Sequence, residues 1–182
     1  MKQWIMLMGL LLAASSHADD YHQVAAQSLR ALGQPVEHIS LIDLQGSTIG
    51  FEDLRGEPAV IYFFASWCAS CYKSLEQIEH IRQSGQQKIR LIAMAMEDNN
   101  PKLQRMLAKT SFKGEVWLPE RGGEILLERR FANSAQSLPY VIRLTADLVL
   151  AEHSYHLAKQ EHWSRALVEG DNLAAATEYR GQ

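Results

Sequence analysis

Six consecutive apolar residues, Ala59-Val60-Ile61-Tyr62-Phe63-Phe64, are rich in β-branched and aromatic side chains. Such a run predicts a strand buried on both faces. Beyond it, Cys71, Leu75, Ile78 and Ile81 fall on one stripe at helical spacing, and Gly85 ends the pattern. Residues 89–96 predict a second buried strand. Asn100-Pro101 predicts a helix cap with proline at the first helical position, and Leu103, Met106 and Leu107 on the inner face. Residues 116–118 read as a short strand and 124–131 as a short helix. Residues 140–144 and 148–153 read as a hairpin across Thr145-Ala146-Asp147, and 159–168 as a closing helix.

Upstream, Val24, Ala25, Leu29 and Leu32 recur at helical spacing within a lead-in over 19–37, which Gly33 and Pro35 end. Residues 38–44 alternate in part, Gln45-Gly46-Ser47 predicts a turn, and 48–51 can return as a strand. Residues 53–58 read as a connecting loop. Strand, helix, strand, helix, then a hairpin and a helix define an α/β fold with a mixed central sheet and helices on both faces. The domain is expected over 38–169, followed by a polar tail over 170–182.

The first residues set the expected compartment. Lys2 precedes an apolar run over 4–14, and small residues lead to Ser16-His17-Ala18. This layout predicts a cleavable secretory signal over 1–18 and an exported, periplasmic protein. The run is shorter than the roughly 20 apolar residues of a spanning helix, although an uncleaved anchor would face the same compartment. The 182-residue chain carries a net charge of −3, and losing Lys2 makes the remainder more negative. With no basic stripe, nucleic acid is not an expected partner.

The chain has two cysteines, Cys68 and Cys71. A bridge between them closes almost no loop and adds little entropic stabilisation, so the pair suits chemistry better than architecture. They sit where the buried strand gives way to a helix. A cysteine at a helix N-terminus meets the positive end of the dipole and unpaired N–H groups, which favour thiolate. Lowering a cysteine pKa from about 8.5 to about 7 raises its thiolate fraction at pH 7 from about 3% to about half. Cys68 is therefore read as the nucleophile. Cys71, one turn later on the inner face, is read as the thiol that resolves a mixed disulfide. Together they form the expected redox disulfide.

The pair has three other chemical readings. A zinc site needs four ligands. His153, His156 and His162 lie at the far end of the chain without regular ligand spacing, so no metal and no cofactor is expected. Two inert buried thiols fit an oxidising compartment less well than a disulfide does. A Cu(I) carrier would use the same two sulfurs as soft ligands.

Pro139, next to a predicted strand, is out of place unless it performs a backbone task. Trp67, beside the nucleophile, is read as a flat surface where partners dock, whereas Trp117 and Trp163 are read as core or half-buried. Glu97 follows the second buried strand. It is read as a solvated loop charge, with a base for Cys71 as the alternative.

Four segments carry a family resemblance: Leu41-Ile42-Asp43-Leu44-Gln45-Gly46, Leu54-Arg55-Gly56, Phe64-Ala65-Ser66-Trp67-Cys68-x-x-Cys71, and Leu138-Pro139 before a hairpin. In these the chain resembles the TlpA-type thioredoxin-like proteins of bacterial envelopes, which are related to cytochrome c maturation reductases. The likeness in element order covers roughly residues 38–168. It implies a thioredoxin-like fold with Cys68 attacking, Cys71 resolving and a cis Pro139 packed beside the sulfurs. It also implies that the Leu138 backbone pairs with a partner peptide in strand fashion.

Departures from the family are informative. Ala69-Ser70 replaces a dipeptide that commonly contains proline. Ser74 stands where reductases of apocytochromes often carry glutamate, and Tyr62 where thioredoxin has a buried aspartate. The resulting expectation is a thiol–disulfide oxidoreductase acting on disulfides or dithiols of envelope proteins, as a reductase fed by a membrane thiol–disulfide electron donor. The alternative is an oxidase or isomerase of the same fold. The reductase reading rests on Ala69 offering no side-chain donor to a Cys68 thiolate, and Ser70 offering one hydroxyl.

Overall fold

The computed structural model describes residues 26, 28–120 and 130–178. The expected signal over 1–18, most of the helix over 124–131 and the last residues of the tail lie outside them. Seven strands form one mixed sheet: β1 (Leu41–Asp43), β2 (Thr48–Ile49), β3 (Ala59–Phe64), β4 (Arg90–Ala95), β5 (Glu115–Pro119), β6 (Tyr140–Leu144) and β7 (Leu150–Ser154). Their order is β2-β1-β5-β4-β3-β6-β7. The strands β3, β4 and β5 are parallel, while β6 pairs antiparallel with β3, β7 with β6, and β1 with β5. The expected α/β class with a mixed sheet is what the chain adopts.

All six residues of β3 are buried, as their unbroken apolar run predicts. Side chains alternate across the sheet. Val60, Tyr62 and Phe64 join one apolar cluster, and Ala59, Ile61 and Phe63 join the other. The first cluster is covered by α1 (Ala69–Gln83), α2 (Pro101–Lys109), α3 (Gln160–Ser164), a π-helical turn at Arg165–Glu169, and α4 (Leu173–Thr177). The second is closed by a 3-10 helix at Phe51–Leu54 and by Ala31, Leu32, Val36 and Phe131.

Three boundaries differ from the sequence reading. The strand expected over 48–51 stops at Ile49, because Phe51 turns into the core as the first residue of the 3-10 helix. The end of the lead-in pairs with residues 148–150, where β7 begins: Gly33 N–H donates to Leu150 O at 2.8 Å, and Val36 N–H to Leu148 O at 2.9 Å. Within 170–182, residues expected as a polar tail form α4, with Leu173 and Ala176 fully buried. This segment is fastened by two arginines. Arg143 donates to the carbonyls of Ala166, Gly170 and Asp171, and Arg165 to the Asp171 carboxylate and the carbonyls of Ala176 and Glu178.

One buried carboxylate ties α1 to the loop before β5. Glu79, 3% exposed, accepts from Arg82 Nε and Nη2, from Gln83 Nε2 and from the Lys113 backbone N–H. The Arg82 hydrogen bonds lower its pKa from 4.5 to about 2, against the opposing effect of burial. A carboxyl whose pKa falls on folding stabilises the native state fully above its unfolded value and loses that contribution as pH drops through its folded value. The Glu79 contribution therefore disappears between about pH 4.5 and about pH 2. Melting temperatures across this window should fall less steeply in Glu79→Gln than in the parent protein; parallel curves would refute the assignment.

Candidate active site

β3 ends at Phe64, and the chain crosses Ala65, Ser66 and Trp67 to reach α1. Cys68 is the N-cap of that helix, with extended φ/ψ of −87° and 101°, and Cys71 lies in its first turn. The Cys68 N–H donates to Ala65 O at 3.0 Å, and the Cys71 N–H to Cys68 O at 3.1 Å. The two sulfurs are bonded to each other, with Cα atoms 5.3 Å apart. Cys68 is 6% exposed and Cys71 0%. The first cysteine thus keeps slight exposure and the second none, and the first lies at the end of the helix where the dipole favours negative charge.

The surroundings of the pair are sparse in donors. Ser70 Oγ lies 3.5 Å from Cys68 Sγ. Behind Cys71, the Tyr62 hydroxyl donates to the Cys71 carbonyl at 3.3 Å. Burial pushes the Tyr62 hydroxyl well above the ordinary phenol range, with the Ser74 hydroxyl opposing it slightly. Tyr62 stays protonated at neutral pH and serves Cys71 as packing, not as a base. Its ring stacks on Phe64 at 5.8 Å and meets the edge of Trp163 at 5.3 Å. Trp163 and Trp117 are core residues, whereas Trp67 is 71% exposed beside the disulfide.

Glu97 is half-buried and hydrogen-bonded, not the solvated loop charge expected of it. Its carboxylate accepts from the Ser66 backbone N–H, from Ser66 Oγ at 2.8 Å and from Asn100 Nδ2 at 2.8 Å. Asn100 in turn caps α2 through the N–H groups of Lys102 and Leu103. Glu97 therefore ties the loop that carries Trp67 and Cys68 to the start of α2. No local sequence signal marks this link, because Ser66 and Glu97 are 31 residues apart.

The register gathers the remaining site residues. Phe64 pairs with Ala95 and Phe63 with Tyr140, so the ends of β3 and β4 and the start of β6 lie together. This brings Cys68, Glu97 and Pro139 to one end of the sheet. The Leu138–Pro139 peptide bond is cis, and Leu138 packs against both apolar clusters.

The three histidines take separate roles. The His153 ring lies 5.9 Å from the Tyr140 ring and 6.0 Å from the Tyr155 ring, and burial lowers its pKa. His162 Nδ1 lies 3.1 Å from the His156 carbonyl oxygen. Among the described residues, no three His, Cys, Asp or Glu side chains come together as a metal would require.

A model of the Redoxin family matches residues 31–127, more than half of the chain. The chain belongs to the Redoxin family. The Redoxin match takes in β3, Ser66, both cysteines and Glu97, and it ends before Leu138 and Pro139. Among curated relatives, the thiol:disulfide interchange protein DsbE of Pseudomonas fluorescens biotype C is 28% identical over 116 residues. That stretch covers 60% of this chain and 62% of that protein. The thiol-disulfide oxidoreductase ResA of Bacillus thuringiensis subsp. konkukian is 22% identical over 96 residues, 52% of this chain and 55% of that one. The chain therefore spans less than two thirds of the length of these two relatives. A solved thiol:disulfide interchange protein from Chlorobium tepidum TLS superposes with a TM-score of 0.59 at 14% identity, covering 80% of this chain and 97% of that one. The fold of this Redoxin member is accordingly thioredoxin-like.

Proposed function

We propose that this protein is a thiol–disulfide oxidoreductase of the bacterial envelope, of the TlpA type, working as a reductase. One observation carries the reading: Cys68 and Cys71 form a disulfide at a helix N-terminus, with Cys68 slightly exposed and Cys71 fully buried. In the reduced protein the Cys68 thiolate attacks a substrate disulfide. A Cys68–substrate disulfide forms and the first substrate sulfur leaves as a thiolate. Cys71 then loses its proton and attacks the Cys68 sulfur, and the second substrate sulfur leaves. Two electrons pass to the substrate, and the Cys68–Cys71 disulfide remains. A membrane dithiol protein is the proposed donor that reduces it again. Trp67, Leu138 and Pro139 are the proposed docking residues for the substrate protein. The names of the curated relatives support the exchange chemistry, and the N-terminal pattern over 1–18 supports export to the periplasm.

The direction of electron flow follows from how well the Cys68 thiolate is held. A strong oxidant needs several contacts to its thiolate. The Ser70 hydroxyl, at 3.5 Å, is one weak contact. The expected results are insulin reduction in the presence of a dithiol, a Cys68 titration midpoint near neutrality, and a potential close to thioredoxin's value of about −270 mV. Ser70→Ala should move that midpoint upward by the equivalent of one hydrogen bond, about 1 kcal/mol. A Cys68 midpoint below about pH 5, followed by thiolate absorbance, would reverse the assignment to an oxidant.

A further inference from the structure

A second clamp lies at the same end of the sheet, on the chain leading to Leu138. Asn133 is fully buried. Its Nδ2 donates to Ser137 O at 3.0 Å, and its Oδ1 accepts from the Ser137 N–H at 3.2 Å. One side chain thus takes both backbone polar groups of Ser137, as a neighbouring strand would. The Tyr155 hydroxyl donates to the same Oδ1 at 3.0 Å and accepts from the Ala135 N–H at 3.2 Å. Tyr155 directly follows β7, and its ring packs 4.8 Å from that of Tyr140. The Tyr140 hydroxyl donates to Phe131 O at 2.5 Å and holds the other side of the loop.

This loop is shaped at a conformational cost. Ala132 and Gln136 have φ of 59° and 47°, in the left-handed region that side chains with a Cβ disfavour. Such backbone persists only where surrounding contacts over-determine it, and it concentrates at functional sites. Here the contacts are those of Asn133 and Tyr155. The first residue whose backbone this clamp does not take is Leu138. Ser137 itself is exposed, so the clamp holds a surface segment from beneath.

We propose that Asn133 and Tyr155 are positioning residues for substrate capture. They fix Ser137 so that the Leu138 backbone presents a strand edge to an extended peptide segment flanking the disulfide of a protein substrate. This rests on the exchange function proposed above and adds to it two residues that shape the docking loop. Extended polypeptide gains from the clamp, whereas a small disulfide with no peptide backbone to pair does not.

The test compares reduced parent protein, Tyr155→Phe and Asn133→Ala toward two disulfides: insulin, and the small reagent dithiobis(nitrobenzoic acid). Tyr155→Phe keeps the ring against Tyr140 and removes only the hydroxyl. It should raise KM for insulin about fivefold, the size of one net hydrogen bond. Its kcat, its rate with the small reagent and its potential against glutathione should stay at parent values. Asn133→Ala should show the same split with a larger KM, and if it fails to fold, Tyr155→Phe decides alone. An unchanged insulin KM in Tyr155→Phe, or an equal fall in rate with both disulfides, overturns the clamp while leaving the exchange function standing. Parent protein inert toward both disulfides overturns the exchange function, and the clamp's role with it.

Discussion

Cys68→Ser should reduce no disulfide above the uncatalysed background, and Cys71→Ser should stall as a covalent adduct with its substrate. The two expectations follow from the unequal placement of the sulfurs. Cys68 is the N-cap residue, 6% exposed, where the helix dipole favours a thiolate. A serine hydroxyl at that position is neither ionised at neutral pH nor able to form the mixed disulfide, so the first step is lost entirely. Cys71 has no exposure and cannot meet a substrate directly, so it does not substitute for Cys68. Its task is intramolecular. With Cys71 replaced by serine, attack at Cys68 proceeds and release does not. Non-reducing electrophoresis with a disulfide-bearing protein should show a slower-migrating species that a small thiol dissolves. Turnover retained in Cys68→Ser, or no adduct in Cys71→Ser, would end the assigned roles.

Arg165→Ala should lower stability by about 3 kcal/mol, or a melting temperature by about 10 °C for a chain of this size. Arg165 is 4% exposed. It lies 2.9 Å from Asp171 Oδ2 through both Nε and Nη2, and it donates to Glu178 O at 2.7 Å. The pair is largely buried, with Asp171 20% exposed, and removing one partner costs more than the pair itself contributes because the remaining groups keep most of their desolvation. The effect should be local in origin. Amide hydrogen exchange should accelerate first in 173–178, since α4 loses the side chain that joins it to the π-helical turn. Unchanged melting, or exchange that accelerates evenly over the whole sheet, would show that α4 is held chiefly by the burial of Leu173 and Ala176.

What could be read in the sequence was local. The buried run of β3, the apolar stripe of α1 and the Asn100-Pro101 cap each declare themselves within a few residues, and the cap is made as expected by Asn100 Oδ1. The exposed Trp67 beside a bridged Cys68 and Cys71 was legible for the same reason. The features missed join distant segments. Glu97 reads as a loop charge until β4 places it opposite Ser66. Asn133 and Tyr155 belong to different elements, and nothing in either stretch announces the other. Residues 170–178 look like a polar tail because the groups that anchor them, Arg143, Glu152 and Arg165, lie earlier in the chain.

The flanks of the sheet bear on how a protein with the proposed exchange function would meet extended substrates. An open strand edge is a template for sideways growth, and a protein that meets extended chains risks being drawn into aggregates with them. One flank here ends in β2, two residues long. The other, β7, is met on its outer side at its first residue, Leu150, by Gly33 and Gln34, while Val36 pairs with Leu148 just before it. The short β2 and the partly paired β7 each leave less open edge than a full-length outer strand would. Under the proposed exchange function, strand-like pairing with a substrate peptide is then expected at the end of the sheet beside Leu138, away from these flanks.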